Sequence, residues 1–316
     1  DGRTQTGLVV CTSIDEYINN TIKKHEYTRA DKEQDRINHV DYCNANTGPI
    51  FITYRFKQNI NDVINNWKNK NNPIYDFTAD DGIIHKVWVI DDENTINQLV
   101  DYFKQVQSLY IADGHHRNAS AVKVGLKRRE ENKDYTGQEE FNFYLSVLFP
   151  DNELKIFDYN RVVKDLNGLS EEEFIQKLEN DFFVEKSILQ VKPEKLHSFG
   201  MYINGNWYTL TAKDNIISSD AVEGLDVSIL QKEVLVKLLG IGDIRTDSRV
   251  NFVGGIRGLG ELEKLVDSGK WAVAFTMYPT SVSELMAIAD EGKIMPPKST
   301  WFEPKLRSGL FLHSLE

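Results

Sequence analysis

Apolar and polar positions follow two periods along this chain. Short β-branched and aromatic runs at 7–11, 49–54, 83–90, 109–112 and 141–149 predict buried or half-buried strands. Between them, helical spacing recurs. Lys32, Asp35, Arg36 and His39 share one polar face within 31–46, Trp67 sits in an asparagine-rich stretch at 59–72, and apolar residues at 96, 99, 100 and 103 predict an amphipathic helix over 95–106. Ser13 reads as the cap of a short helix or turn, and Asn118 to Lys127 continues as a helix whose Ala119, Ala121 and Gly125 permit close packing.

From Lys155 the pattern changes. A strand over 155–163, a helix over 171–178, a strand over 182–188 and a hairpin around Asn204-Gly205 form a β-α-β-β unit. A strongly periodic helix over 226–239, a buried strand over 271–277 and a helix over 281–289 come after it. The fold class expected is therefore α/β in the broad sense (α+β), with a first domain over 1–150 and a second α+β lobe over 151–316. At 316 residues the chain is long enough for two such bodies.

Charge narrows the partners. The net charge of -11 argues against a general nucleic-acid or anionic-membrane binder. No apolar run reaches spanning length and no signal peptide is visible, so nothing is expected to cross a membrane. Cys11 and Cys43 have no metal-ligand spacing, which predicts a reduced, cytoplasmic protein without disulfides. The chain opens on Asp1 without a methionine, in what reads as the middle of a hairpin, so an upstream segment is expected to have been removed.

The densest chemistry lies where the strand at 109–112 stops at Asp113-Gly114-His115-His116-Arg117 and restarts as helix. A helix start presents backbone N–H groups and the positive end of the dipole, a setting for an anion. Gly114 lets backbone approach a ligand, Arg117 can grip phosphate or carboxylate through two parallel hydrogen bonds, and His115 and His116 can bond or protonate its oxygens. Asp113 would repel that anion unless a cation lies between them, so Mg²⁺ or a protonated group is expected there, with Asp113 as the metal ligand. The plainer alternative stays open: Asp-Gly is a common turn pair, and the imidazoles can cap a helix or satisfy a buried carbonyl.

Two other stretches invite chemistry. Gly254-Gly255-Ile256-Arg257-Gly258 lacks the spacing of a dinucleotide loop. In Met295-Pro296-Pro297-Lys298-Ser299-Thr300, prolines fix a loop in which Lys298, Ser299 and Thr300 can donate to phosphate or carboxylate, as a preorganised binding loop would. The alternative is a rigid surface loop with an exposed lysine. The basic run Lys127-Arg128-Arg129 reads as helix-end electrostatics.

Gly7-Leu8-Val9, His25-Glu26-Tyr27-Thr28, Asp35-Arg36, Ala45-Asn46 with Pro49-Ile50-Phe51, Asp81-Gly82 with Trp88, Ala112 to Arg117 and Met295 to Phe302 together resemble, in order and spacing, one family over essentially the whole chain. It is the family catalogued as domain of unknown function 1015, which looks related to the free L-serine kinases that share a core with ParB and sulfiredoxin. The resemblance implies a ParB/sulfiredoxin-like core over 1–150 and a C-terminal loop returning to the active site. It implies transfer of phosphate from pyrophosphate or ADP to the hydroxyl of L-serine, the pyrophosphate-using branch being closer. Asp113, His115, His116 and Arg117 become the catalytic cluster, and Gly114, His25, Thr28, Arg36, Asn46, Lys298, Ser299 and Thr300 the substrate and phosphate ligands.

The related kinases carry a general-base glutamate near their N-terminus, and Glu26 is the substitute candidate here. By resemblance, members of the family carry a further segment ahead of Gly7. The competing reading is a ParB-like module that holds nucleotide or nucleic acid without turnover, against which the acidic balance counts. A sulfiredoxin-like reaction would need a cysteine where this turn has histidine. Zinc hydrolysis would need a third ligand that the spacing does not supply.

Overall fold

This computed structural model describes residues 2–316, and Asp1, with the hairpin read there, lies outside the described residues. The chain divides into two compact units, the first made of the residues up to Lys23 with Thr28–Leu154 and Leu306–Glu316, the second of Lys24–Tyr27 and Lys155–Lys305. The C-terminal residues, assigned by sequence to the second lobe, thus fall with the first unit. His25 and Glu26 fall with the second.

In the first unit, strands β1 (Leu8–Ser13), β2 (Ile22–Lys23), β3 (Ile50–Tyr54), β4 (Leu109–Asp113) and β5 (Phe143–Pro150) form one mixed sheet in the order β1-β5-β3-β4-β2. β3 runs parallel to β5 and antiparallel to β4, and all five of its residues are buried, as its unbroken apolar run requires. The register slips where Phe51 faces Asp113 while Ile52 faces Ile111, leaving Ala112 as an extra residue. Such a bulge bends the strand and re-aims the residue after it, here Asp113.

Helices α1 (Ala30–Cys43), α2 (Gln58–Lys70), α3 (Glu93–Phe103) and α4 (His115–Glu131) accompany this sheet. Ile14, Ile22, Ile52, Ile60, Leu99, Ile111, Val122 and Tyr144 are among its core residues. α4 is the innermost helix, with His115, Val124 and the whole stretch from Asn118 to Val122 buried. The strand expected over 83–90 is shorter, Ile84–Val87. It pairs only with Tyr75–Thr78, as a hairpin outside the main sheet.

The second unit holds a six-stranded antiparallel sheet of β6 (Tyr159–Val163), β7 (Phe182–Ser187), β8 (Ser198–Ile203), β9 (Asn206–Ala212), β10 (Val250–Gly254) and β11 (Val273–Met277), ordered β7-β9-β8-β11-β6-β10. Helix α5 (Leu259–Asp267) packs Leu262 and Val266 against Val162, Tyr202, Trp207, Val253 and Ala274. The helix expected over 226–239 is one α turn, Asp226–Ile229, continued by a π-helical turn, Leu230–Val236. Lys237 N–H reaches the carbonyl of Lys232 and Leu239 that of Val234, five residues back. Its apolar pairs Ile229-Leu230 and Val234-Leu235, with Leu239, recur every five positions, which suits that wider winding. No helix among the described residues is long and apolar enough to cross a membrane.

Gly125 tests the packing of α4. A Cβ there would lie 2.5 Å from the Phe141 carbonyl oxygen and 2.9 Å from Ile14 Cδ1. On an exposed helix Gly→Ala gains about 1 kcal/mol, but a backbone oxygen cannot swing away. Gly125→Ala is expected to destabilise the protein by about 1–3 kcal/mol, measured by urea unfolding. Unchanged or increased stability would show that α4 can shift off the chain at Phe141.

Candidate functional site

The strand-to-helix junction begins with a conformational demand. Gly114 caps α4 with φ +95°, a left-handed backbone that disfavours any side chain, and it offers no side chain to the helix start. The missing Cβ also makes room: a methyl group there would lie 3.0 Å from Arg117 Nη2 and 3.1 Å from Nε. Arg117 therefore folds back across Gly114 and over the first turn of its own helix. Its Nη2 lies 3.4 Å from Asp113 Oδ2, a loose contact between partly buried groups.

Arg117 is enclosed from another side by residues far away in sequence. A Cβ on Gly48 would stand 3.4 Å from Arg117 Nη1 and 3.1 Å from Ser308 Oγ, while Gly309 N–H donates to the Thr47 carbonyl at 3.1 Å. Burial makes Arg117 a weaker base than an ordinary arginine, Asp113 works against that, and the nearby charge of Arg36 adds to it. Two guanidiniums thus share a corner with one carboxylate at the positive end of a 17-residue helix. That surplus of positive charge favours an anion.

The histidines differ from each other. His115 is buried, whereas His116 Nε2 accepts the backbone N–H of Arg29 at 3.0 Å, which fixes that nitrogen as unprotonated. Below them lies a polar layer between α1 and α4. Ser120 Oγ donates to the carbonyls of Glu33 and His116 at 3.0 and 2.7 Å, Thr28 Oγ1 donates to Glu33 Oε2 at 2.6 Å, and Lys123 pairs with the same carboxylate. Burial pushes the Glu33 carboxyl up, but the hydrogen bonds from Lys123 and Thr28, with the charges of Lys123 and His116, hold it below its ordinary range. The basic run farther along α4 makes similar ties: Lys127 and Arg128 pair with Asp41, and Arg129 with Asp15.

The first unit therefore brings Asp113, Gly114, His115, His116, Arg117, Thr28 and Arg36 into one neighbourhood. Thr28 is not placed there as a phosphate donor, because its hydroxyl proton is committed to Glu33. Asn46 is buried and serves the fold, its Oδ1 accepting Leu145 N–H at 3.1 Å and standing 3.1 Å from the ring Nδ1 of His313. In the second unit His25 is buried, and its carbonyl accepts the Met295 N–H at 2.8 Å. Lys298 is exposed, Ser299 is buried with its hydroxyl donated to the Pro296 carbonyl at 2.6 Å, and Arg161 Nη2 donates to the Lys298 carbonyl at 3.0 Å. Ser299 thus shapes its loop instead of reaching a ligand. Glu26, also of the second unit, is half-buried.

The fit to a metal is partial. Among the described residues no three His, Cys, Asp or Glu side chains are grouped to hold an ion. Asp113 offers one carboxylate, which matches Mg²⁺ that completes its sphere with substrate phosphates and water but does not make a protein cage.

The sequence profile of a family described as a protein of unknown function (DUF1015) matches residues 1–228. The chain belongs to the DUF1015 family. No curated protein matches this DUF1015 chain. Among solved structures it is similar to a mutant free serine kinase in complex with AMP, at 14% identity over 96% of this chain and 90% of that one, with a TM-score of 0.48. It is also similar to C-terminally truncated SbnI from Staphylococcus aureus, at 11% identity, 96% and 85% coverage and a TM-score of 0.49. A conserved hypothetical protein from Pyrococcus furiosus matches at 13% identity, 97% and 95% coverage and a TM-score of 0.41.

Gly48 and Ser308 were not foreseen from the sequence. Their contact with Arg117 joins positions 48, 117 and 308, and only the Ser308-Gly309 turn pair hinted at it.

Glu33 is the polar layer's testable member. Because its pKa is lower folded than unfolded, its stabilising effect is complete above the ordinary carboxylate range and is lost as pH falls through that range. Glu33→Gln should cost about 1–3 kcal/mol at neutral pH, with the gap to the parent protein closing in acid. Urea unfolding at both pH values measures this, and a gap that does not depend on pH would contradict the charged role.

Proposed function

We propose that this protein is a phosphotransferase: a free L-serine kinase that uses inorganic pyrophosphate or ADP and makes O-phosphoserine. The observation that carries the reading is Arg117 folded over Gly114 at the start of α4, with Arg36 near it and Asp113 in loose contact. Phosphoryl transfer asks a protein mainly to position its reactants and offset charge, and this corner is equipped to do so.

In the proposed reaction the donor's phosphates lie at the helix start, where the first backbone N–H groups of α4 point outward along the axis. Arg117 bonds the transferring group through its guanidinium fork and Arg36 adds long-range positive charge. His115 and His116 border the same helix start, and His116 also orders the segment at Arg29. Bound Mg²⁺, with Asp113 as its protein ligand, would neutralise phosphate charge. The serine hydroxyl oxygen forms the new P–O bond as the donor's bridging P–O bond breaks. Phosphate leaves when pyrophosphate is the donor, and AMP leaves when it is ADP. The hydroxyl proton passes to a carboxylate, for which Glu26 is the candidate.

An assay for O-phosphoserine with pyrophosphate, ADP and ATP supplied in parallel tests the activity. Turnover is expected with pyrophosphate or ADP and L-serine. Absence of product with every donor would refute the kinase, and nucleotide retention without turnover would favour a binding module instead. Arg117→Lys keeps the charge but loses the fork, and should lower kcat/KM by about a hundredfold or more. Gly114→Ala should lower it as well, since its methyl group displaces Arg117, and should cost about 1–2 kcal/mol of stability. Glu26→Gln should lower kcat more than it raises KM.

A further inference from the structure

The second unit contains a charge that its own fold does not balance. Arg161, at the centre of β6, is only 2% exposed, and among the described residues no carboxylate pairs with it. Its guanidinium donates to the carbonyls of Tyr159 and Lys298 and lies 5.4 Å from the ring centre of Phe252, its neighbour across the β6–β10 ladder. Burial pushes its pKa down to about 10, so it is charged at neutral pH. Carbonyl dipoles and a ring recover only part of what a buried guanidinium loses in leaving water, and leaving such a charge unmatched is costly. In a chain with 48 acidic residues to 37 basic ones, a carboxylate partner was available in composition and is missing in place.

The loop above Arg161 is rigid and carries a second cation. Lys298 adopts φ +63°, a left-handed conformation that costs a lysine about 1 kcal/mol. It is held there by the Arg161 bond to its carbonyl and by the Ser299 hydroxyl on Pro296. Trp301 packs edge-on against Tyr159 at 4.9 Å and fills the space a Cβ of Gly254 would need, 2.8 Å away. The Lys298 ammonium lies 6.0 Å from the centre of the Tyr159 ring, exposed, and among the described residues no carboxylate is paired with it. Thr300, half-buried, lies two positions on.

We propose that the Lys298–Thr300 turn, seated on Arg161, is an anion-binding corner of the second unit that receives a phosphoryl or carboxylate group. Lys298 and Thr300 donate to the ligand. Arg161 is a positioning residue: it fixes the Lys298 backbone and adds buried positive charge beneath the turn. The choice of probes rests on the kinase reading, and the corner itself does not.

Site-resolved acetylation of Lys298, read by mass spectrometry on the full chain, tests this without requiring turnover. Inorganic pyrophosphate, inorganic phosphate and L-serine are each added, with sodium chloride at matched ionic strength as control. A bound anion slows acetylation by 1 + [L]/Kd, about tenfold at ten times Kd. Protection by pyrophosphate or phosphate identifies a phosphoryl site, and protection by L-serine alone a carboxylate site. No protection by any of the three, or equal protection by sodium chloride, overturns the proposal. Arg161→Lys keeps the charge but loses the fork, and should abolish most of the protection in a variant that still unfolds cooperatively. Full protection in that variant removes Arg161 from the site, and if the variant does not fold, the parent comparison decides. Protection without O-phosphoserine formation supports the corner and refutes the kinase, and turnover without protection does the reverse.

Discussion

The first unit turns on one backbone conformation, the left-handed Gly114 between β4 and α4. It ends the strand, starts the helix on the next residue, and leaves the gap into which Arg117 folds. A side chain at 114 would be strained by the conformation and would also collide with the guanidinium, so the turn and the charge placement are one constraint. The Ala112 bulge serves the same end from the strand side, because the extra residue re-aims Asp113 just where the helix dipole begins.

Holding a cation at the positive end of a helix is electrostatically uphill, and the surrounding layers show how it is sustained. Asp113 offsets part of the charge at 3.4 Å, too loosely to saturate the fork. Ser120, Glu33, Thr28 and Lys123 tie α1 to α4 by hydrogen bonds that would be costly to leave unmade in a buried layer. The ion pairs farther along α4 are more exposed and contribute less. Rigidity therefore concentrates next to the junction, where a misplacement of about 1 Å would matter most to a reaction governed by position.

Much of this was legible in the sequence. Apolar runs gave the strands of both sheets, helical spacing gave α1 to α4, and Asp-Gly at a strand end gave the junction. The hidden part depends on where a proton or a partner goes. Thr28, Ser299 and Asn46 are donors or acceptors by type, but each is bound within the fold, to Glu33, to Pro296, and to Leu145 with His313 beside it. Arg161 was hidden for the opposite reason. It sits in an apolar strand like a paired core residue, and only three dimensions reveal that no carboxylate stands opposite. The π-helical turn was readable in principle from the five-residue recurrence of Ile229, Val234 and Leu239, but adjacent apolar pairs also satisfy a 3.6 period.

A chain with net charge -11 is an awkward host for anionic ligands, and the resolution is one of distance. At physiological ionic strength an exposed carboxylate more than about 8 Å away is largely screened, whereas a partly buried guanidinium is screened much less. Local placement therefore outweighs the total. Arg117 lies within its corner and Arg161 within the second sheet, each where water is thin, while many of the acidic groups lie at the surface. The same reasoning explains why a basic run such as Lys127 to Arg129 makes no binding surface. Its charges are matched by Asp41 and Asp15 within the fold, so none of its field remains for a ligand, whereas Arg161 and Lys298 keep theirs unmatched.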